Sequence, residues 1–233
     1  MKTERAPIAV ALDLPDLDSA ANLASQVRDS VACLKIGLEA YLRDGATGVE
    51  VIREAAGPDV ELFLDLKLHD IPNTVAGAAR SVSPLRPSLL TVHAAGGPKM
   101  IEAAVKALPD TQITAVTILT SLNAADLAAV GMQGDSLEAV VRLARLAVDA
   151  GACALVCSPL EVSAVRGAVG PAIRLVTPGV RPVGYAIGDQ QRVATPQQAL
   201  ADGADLLVIG RPITAASQPA AAARALAVEI AGA

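Results

Sequence analysis

The stretch Val60-Glu61-Leu62-Phe63-Leu64-Asp65-Leu66-Lys67 is a short apolar run that closes on two charges spaced two residues apart. A strand that is apolar nearly throughout is buried on both faces, as a parallel sheet covered by helices requires. Seven similar runs lie outward from it, at residues 8–14, 33–38, 88–94, 113–120, 154–158, 173–177 and 205–210. They recur roughly every 20 to 30 residues, and the segments between them have helical character. Residues 137–150 are amphipathic and residues 215–230 are rich in Ala, the strongest intrinsic helix former. Asp16/Asp18, Asp135/Ser136 and Pro98 suit helix N-caps or first turns.

Eight alternations without a break in composition predict one α/β domain, a (β/α)8 TIM barrel over residues 1–233. An open doubly wound sheet is the competing architecture. It would announce itself with a Gly-x-Gly-x-x-Gly turn after the first strand, where this chain has Asp13-Leu14-Pro15-Asp16 and no glycine.

Composition narrows the function classes. The net charge is −5 and the only aromatic residues are Tyr41, Phe63 and Tyr185, so both a basic face and stacking platforms for nucleic acid are missing. No apolar stretch is long enough for a membrane span, and the N-terminus lacks the pattern of a signal peptide. A cytoplasmic protein is the expectation. Cys33, Cys153 and Cys157 sit in apolar runs without Cys-x-x-Cys spacing and read as small core hydrophobes, not as a disulfide framework or zinc site.

In such barrels function sits on the C-terminal ends of the strands. Those ends carry Asp13, Lys35, Asp65 and Lys67, with His69 and Asp70 just beyond, then His93, Thr120-Ser121, Arg181 and Gly210-Arg211. A lysine buried in Cys33-Leu34-Lys35-Ile36-Gly37 is costly without a carboxylate partner. Asp65 and Lys67 face the same way, about 7 Å apart along an ideal strand. A lysine between carboxylates keeps its proton and is suited to act as a general acid. Two further segments suit a phosphate. Val208-Ile209-Gly210-Arg211-Pro212-Ile213 ends the last strand, and a long connection from Pro178 to Gln190 has the length of a lid, with Arg181 as phosphate partner and Gln190 as supplementary donor.

The string Phe63-Leu64-Asp65-Leu66-Lys67-Leu68-His69-Asp70-Ile71-Pro72-Asn73-Thr74 resembles the signature of the orotidine 5′-phosphate decarboxylases. The resemblance extends through Ala11-Leu12-Asp13, Leu34-Lys35-Ile36-Gly37, Thr91-Val92-His93-Ala94 and Val116-Thr117-Ile118-Leu119-Thr120-Ser121. It continues in Thr177-Pro178-Gly179-Val180-Arg181-Pro182, Gly188-Asp189-Gln190 and Val208-Ile209-Gly210-Arg211-Pro212-Ile213.

The resemblance implies decarboxylation of orotidine 5′-monophosphate to UMP, the last step of de novo pyrimidine synthesis, with no cofactor and no metal. It implies that Lys67 protonates the C6 carbanion, Asp65 sits against the substrate carboxylate, and Asp13 and Lys35 contact the ribose. Asp70 and Thr74 match positions that reach a neighbouring subunit's site, which implies a homodimer with shared active sites. Lys67, Asp65, Asp70 and Lys35 form the implied catalytic set. Thr120 and Ser121 match the pyrimidine contact, and Pro178, Arg181, Gln190, Gly210 and Arg211 the substrate and phosphate grip.

Hexulose-phosphate synthases and ketogulonate-phosphate decarboxylases share Asp-x-Lys-x-x-Asp but use magnesium, and they lack the Ile71-Pro72-Asn73-Thr74 continuation. A catalytically silent nucleotide-binding barrel is a third reading, at odds with an intact Lys67 and its carboxylates. His93 reads as a structural, hydrogen-bonded histidine and His69 as a supporting residue.

Overall fold

A computed structural model describes residues 5–132, 134–182 and 194–232. The strands are β1 (Ala6–Ala11), β2 (Val31–Gly37), β3 (Glu61–Leu68), β4 (Leu89–His93), β5 (Gln112–Val116), β6 (Ala154–Val156), β7 (Arg174–Thr177) and β8 (Leu206–Ile209). Each pairs in parallel with the next, and β8 returns to β1, closing a barrel. Helices follow the strands and cover the outside. The TIM-barrel expectation is met.

Local chemistry moves several boundaries. The fifth strand stops at Val116 rather than continuing to residue 120, because the chain turns away into the helix Ala124–Ala129, whose first amides are bound by the Asn123 side chain. The sixth ends at Val156, short of 158, and Pro159 opens a 3-10 turn directly afterwards. The Ala-rich segment is not one helix from 215 to 230. A short helix, Arg211–Thr214, precedes a second, Pro219–Ala231, that starts where proline is tolerated at its first position. Asp16 caps the helix Leu17–Val27 by accepting from the Ser19 amide at 2.7 Å. The cysteine expectation holds for two residues of three. Cys33 and Cys157 are buried, and burial pushes the Cys157 thiol up to about 12. Cys153 is exposed, because it precedes β6 directly after the Gly151 turn and lies at the barrel rim.

The two-residue period of β3 stacks the barrel interior in layers. At the base, Arg174 of β7 donates to both carboxylate oxygens of Glu61 (3.1 and 2.8 Å) and to the Gln112 side chain (3.3 Å). Above it, Phe63 packs with Ala9, Cys33, Leu89, Ala154, Val176 and Leu206. Asp65 follows at the top. A larger apolar core fills the space between the strands and the helices.

At the N-terminal face, Arg166 ties three segments together. Its guanidinium donates to the carbonyls of Gly170 (2.7 Å), Ile173 (2.8 Å) and Gly203 (2.8 Å) and pairs with Asp205. Asp205 also accepts from the Leu175 amide at 2.7 Å. These bonds set the starts of β7 and β8, and hence where their far ends emerge. Removing them in Arg166→Ala should cost about 2–4 kcal/mol. Urea unfolding checks this, and an unchanged midpoint would contradict it.

Candidate active site

At the C-terminal mouth the charges foreseen on separate strands meet. Lys35 Nζ lies 3.2 Å from Asp13 and 3.5 Å from Asp65, and Lys67 Nζ lies 2.7 Å from the other Asp65 oxygen. The result is one alternating chain, Asp13–Lys35–Asp65–Lys67. Lys35 and Asp65 have side chains only 8% and 13% exposed, so neither charge would be tolerated there alone. Burial by itself would raise the Asp65 pKa. The Lys35 and Lys67 charges, with hydrogen bonds from Lys67 and Thr91, outweigh it and hold the carboxyl below its ordinary range.

Gly37 makes room for this packing. It pairs with Asp65 across the β2–β3 ladder, and a Cβ there would lie 2.5 Å from Asp13 and 2.9 Å from Lys35 Nζ. A side chain at position 37 would break the chain of charges.

Lys67 departs from an ideal strand. The β3–β4 register shifts between Leu64 and Leu68, and Lys67 adopts φ of +47°, the left-handed region that a non-glycine residue occupies only at a cost. Its amide donates to the hydroxyl of Thr91 at 2.8 Å, and that hydroxyl donates to Asp65 at 3.1 Å. Thr91 was not among the residues singled out from the sequence. In a β-strand, threonine is an ordinary residue, and its partners become visible only with the bulge.

Two cavities open beside the charges. One, of about 340 Å³, is lined by Asp13, Lys35, Asp65, Pro178, Arg181, Gly210 and Arg211 among others. The second, of about 180 Å³, is more apolar, with Phe63, Val116, Ile118, Leu119 and Thr120 alongside Asp65 and Lys67. Asp65, Pro178 and Val208 border both. Thr120 is therefore at the site although β5 has ended, whereas Ser121 is exposed and lines neither cavity. Gln190 lies outside the described residues, as does the greater part of the expected lid.

Asp70 and Thr74 are not brought to this centre. Both are exposed, at the start of the helix Pro72–Val82, and Asp70 accepts from the Ile71 amide at 2.6 Å. Among the described residues, Asp70 makes no ion pair with Lys35 or Lys67. Ile71 beside it is 65% exposed. His93 ends β4 with its ring 5.4 Å from that of His69. Burial, then the proximity of His69 and Lys67, lowers the His93 pKa against a smaller opposing effect of Asp65. This favours a neutral imidazole.

The chain matches known proteins over nearly its whole length. The model of the "Orotidine 5′-phosphate decarboxylase / HUMPS family" matches residues 6–226. An orotidine 5′-phosphate decarboxylase of Thermobifida fusca (strain YX) is 64% identical over 225 residues, covering 97% of this chain and 96% of that protein. The crystal structure of an orotidine 5′-phosphate decarboxylase from Lactobacillus acidophilus superposes with a TM-score of 0.82 at 35% identity, covering 97% of this chain and 99% of that one. An uncharacterized conserved protein from Geobacillus kaustophilus superposes with a TM-score of 0.83 at 32% identity, covering 96% and 100%. With a family match that runs almost from end to end, and with the charged mouth of the barrel at its centre, this chain belongs to the orotidine 5′-phosphate decarboxylase / HUMPS family.

Proposed function

We propose that the protein decarboxylates orotidine 5′-monophosphate to UMP and carbon dioxide, the last step of de novo pyrimidine synthesis, in the cytoplasm and as a homodimer. The observation that carries this reading is the alternating chain Asp13–Lys35–Asp65–Lys67, set between a small apolar cavity and a larger one bordered by two arginines. A flat pyrimidine suits the first and a ribose 5′-phosphate the second. The names of the relatives favour this activity over the magnesium-dependent reactions that share the family.

In the proposed reaction the bond from C6 to the carboxylate breaks and leaves its electron pair on C6. The Lys67 ammonium gives a proton to that carbon, and carbon dioxide departs. Asp65, held ionised by its lysines, lies against the substrate carboxylate and disfavours the bound anion relative to the transition state. Lys35 and Asp13 receive the ribose hydroxyls, while Thr120 faces the base. Arg181, Gly210, Arg211 and Pro178 take the phosphate end, with Gln190 as an added donor. Binding energy from the phosphate is then available for assembling the charges around the base. No metal or cofactor enters any of these steps.

Asp70 and Thr74 complete the reading from the other side of a dimer. Their exposure, beside an exposed Ile71, suits a segment that meets a second copy and enters its site.

Three measurements test the proposal. Addition of orotidine 5′-monophosphate to EDTA-treated protein should deplete its ultraviolet absorbance, and Lys67→Ala should lower kcat by about 10²- to 10⁴-fold. A flat trace with folded protein, or a chelator-sensitive one, would reject the assignment. Arg211→Ala should raise KM for the nucleotide by about tenfold or more while leaving turnover of the phosphate-free nucleoside unchanged. Equal losses on both substrates would remove Arg211 from the phosphate grip. Finally, Asp70→Ala and Lys67→Ala, each nearly inactive alone, should recover about a quarter of wild-type activity when co-expressed, because each hybrid dimer has one intact site. No recovery would place Asp70 in its own subunit's chemistry or outside it.

A further inference from the structure

We infer that Thr91 is a positioning residue for the reaction: its buried hydroxyl fixes both the backbone of Lys67 and the orientation of the Asp65 carboxylate. The inference deepens the proposed decarboxylation and rests on it for its kinetic consequence.

The ladder between β3 and β4 runs Phe63↔Leu89 and Leu64↔Leu90, then resumes at Leu68↔Val92. Between those pairs three residues of β3, Asp65, Leu66 and Lys67, stand against a single residue of β4, Thr91. A bulge of that kind leaves backbone groups without ladder partners. The Lys67 amide is one of them, part-buried, and would be costly if unpaired. Thr91 is fully buried and supplies the missing acceptor through Oγ1, at 2.8 Å. A main-chain N–H can only donate, so the hydroxyl's one proton is free to go elsewhere, and it goes to Asp65 Oδ1 at 3.1 Å. The same carboxylate oxygen receives the Lys67 ammonium at 2.7 Å.

One side chain thus performs two tasks that the proposed chemistry needs together. It holds Lys67 at its left-handed φ of +47°, from which the side chain returns to its own strand's Asp65. It also supplies a neutral donor to Asp65, so that the Lys67 ammonium is not the only group orienting that oxygen. When Lys67 gives up its proton, the Thr91 bond persists and the carboxylate keeps its place. Around Asp65 stand Lys35 of β2, Lys67 of β3 and Thr91 of β4, with Asp13 beyond Lys35, and His93 two residues along β4. Of these, Thr91 alone is a neutral group bonded to the carboxylate.

The test compares Thr91→Val, Thr91→Ala and Thr91→Ser. Loss of the hydroxyl in the first two should lower kcat by about ten- to a hundredfold with KM changed by no more than about threefold, since the phosphate end is untouched. Thr91→Ser, which keeps the hydroxyl, should return most of kcat. In substrate-free protein carrying ¹³C-labelled aspartate, the Asp65 carboxyl should titrate at a higher pH in Thr91→Val or Thr91→Ala than in wild type, and at the wild-type position in Thr91→Ser. A folded hydroxyl-free variant with wild-type kcat or an unmoved Asp65 titration overturns the inference. So does a Thr91→Ser protein as impaired as the others, which would assign the effect to the lost methyl group. The titration needs no substrate, so a wild-type protein that fails to release carbon dioxide rejects the proposed reaction and leaves the role of Thr91 to be decided by the titration.

Discussion

The contact on which the site depends is that of Asp65 with two ammonium groups, one on each of its oxygens. A carboxylate that is 13% exposed carries a desolvation penalty of several kcal/mol unless it is paired and hydrogen-bonded. Here Lys35, Lys67 and Thr91 supply those partners from three adjacent strands. Each requirement propagates. Lys35 in turn needs Asp13, the Asp13–Lys35 pair needs a residue without a Cβ at Gly37, and the Lys67 contact is made from a left-handed backbone. Parallel strand pairing is what places these residues side by side.

The fold was legible because its signal is repeated. Eight apolar runs of similar spacing leave few architectures open, and an error of two or three residues at any one strand does not alter the count. The errors that did occur have local causes. Pro159 and Pro219 reset an element, and the fifth strand gives way to a helix whose cap is Asn123.

The site was legible to the extent that parity and charge determine it. Asp65 and Lys67 two apart on one strand, and a lysine amid apolar neighbours in β2, already call for each other's company. What parity could not convey was the bulge. Position 67 reads as an ordinary strand residue, and nothing in Thr91-Val92-His93 signals that the threonine hydroxyl replaces a ladder bond. Cys153 shows the opposite limit: an apolar run spans it, yet its own side chain falls at the rim. For Asp70 and Thr74 the sequence motif and the isolated subunit pull apart, since the motif associates them with the site and the fold leaves both on the surface.

The closed base of the barrel has a further consequence. Beneath Asp65 lies the apolar layer around Phe63, and beneath that the Glu61–Arg174–Gln112 cluster. Among the described residues, these two layers fill the barrel beneath the charges. Under the proposed reaction, carbon dioxide formed above that filled layer is directed towards the C-terminal mouth, where the nucleotide binds. Both products then depart from the same face of the barrel, the one that carries the charges.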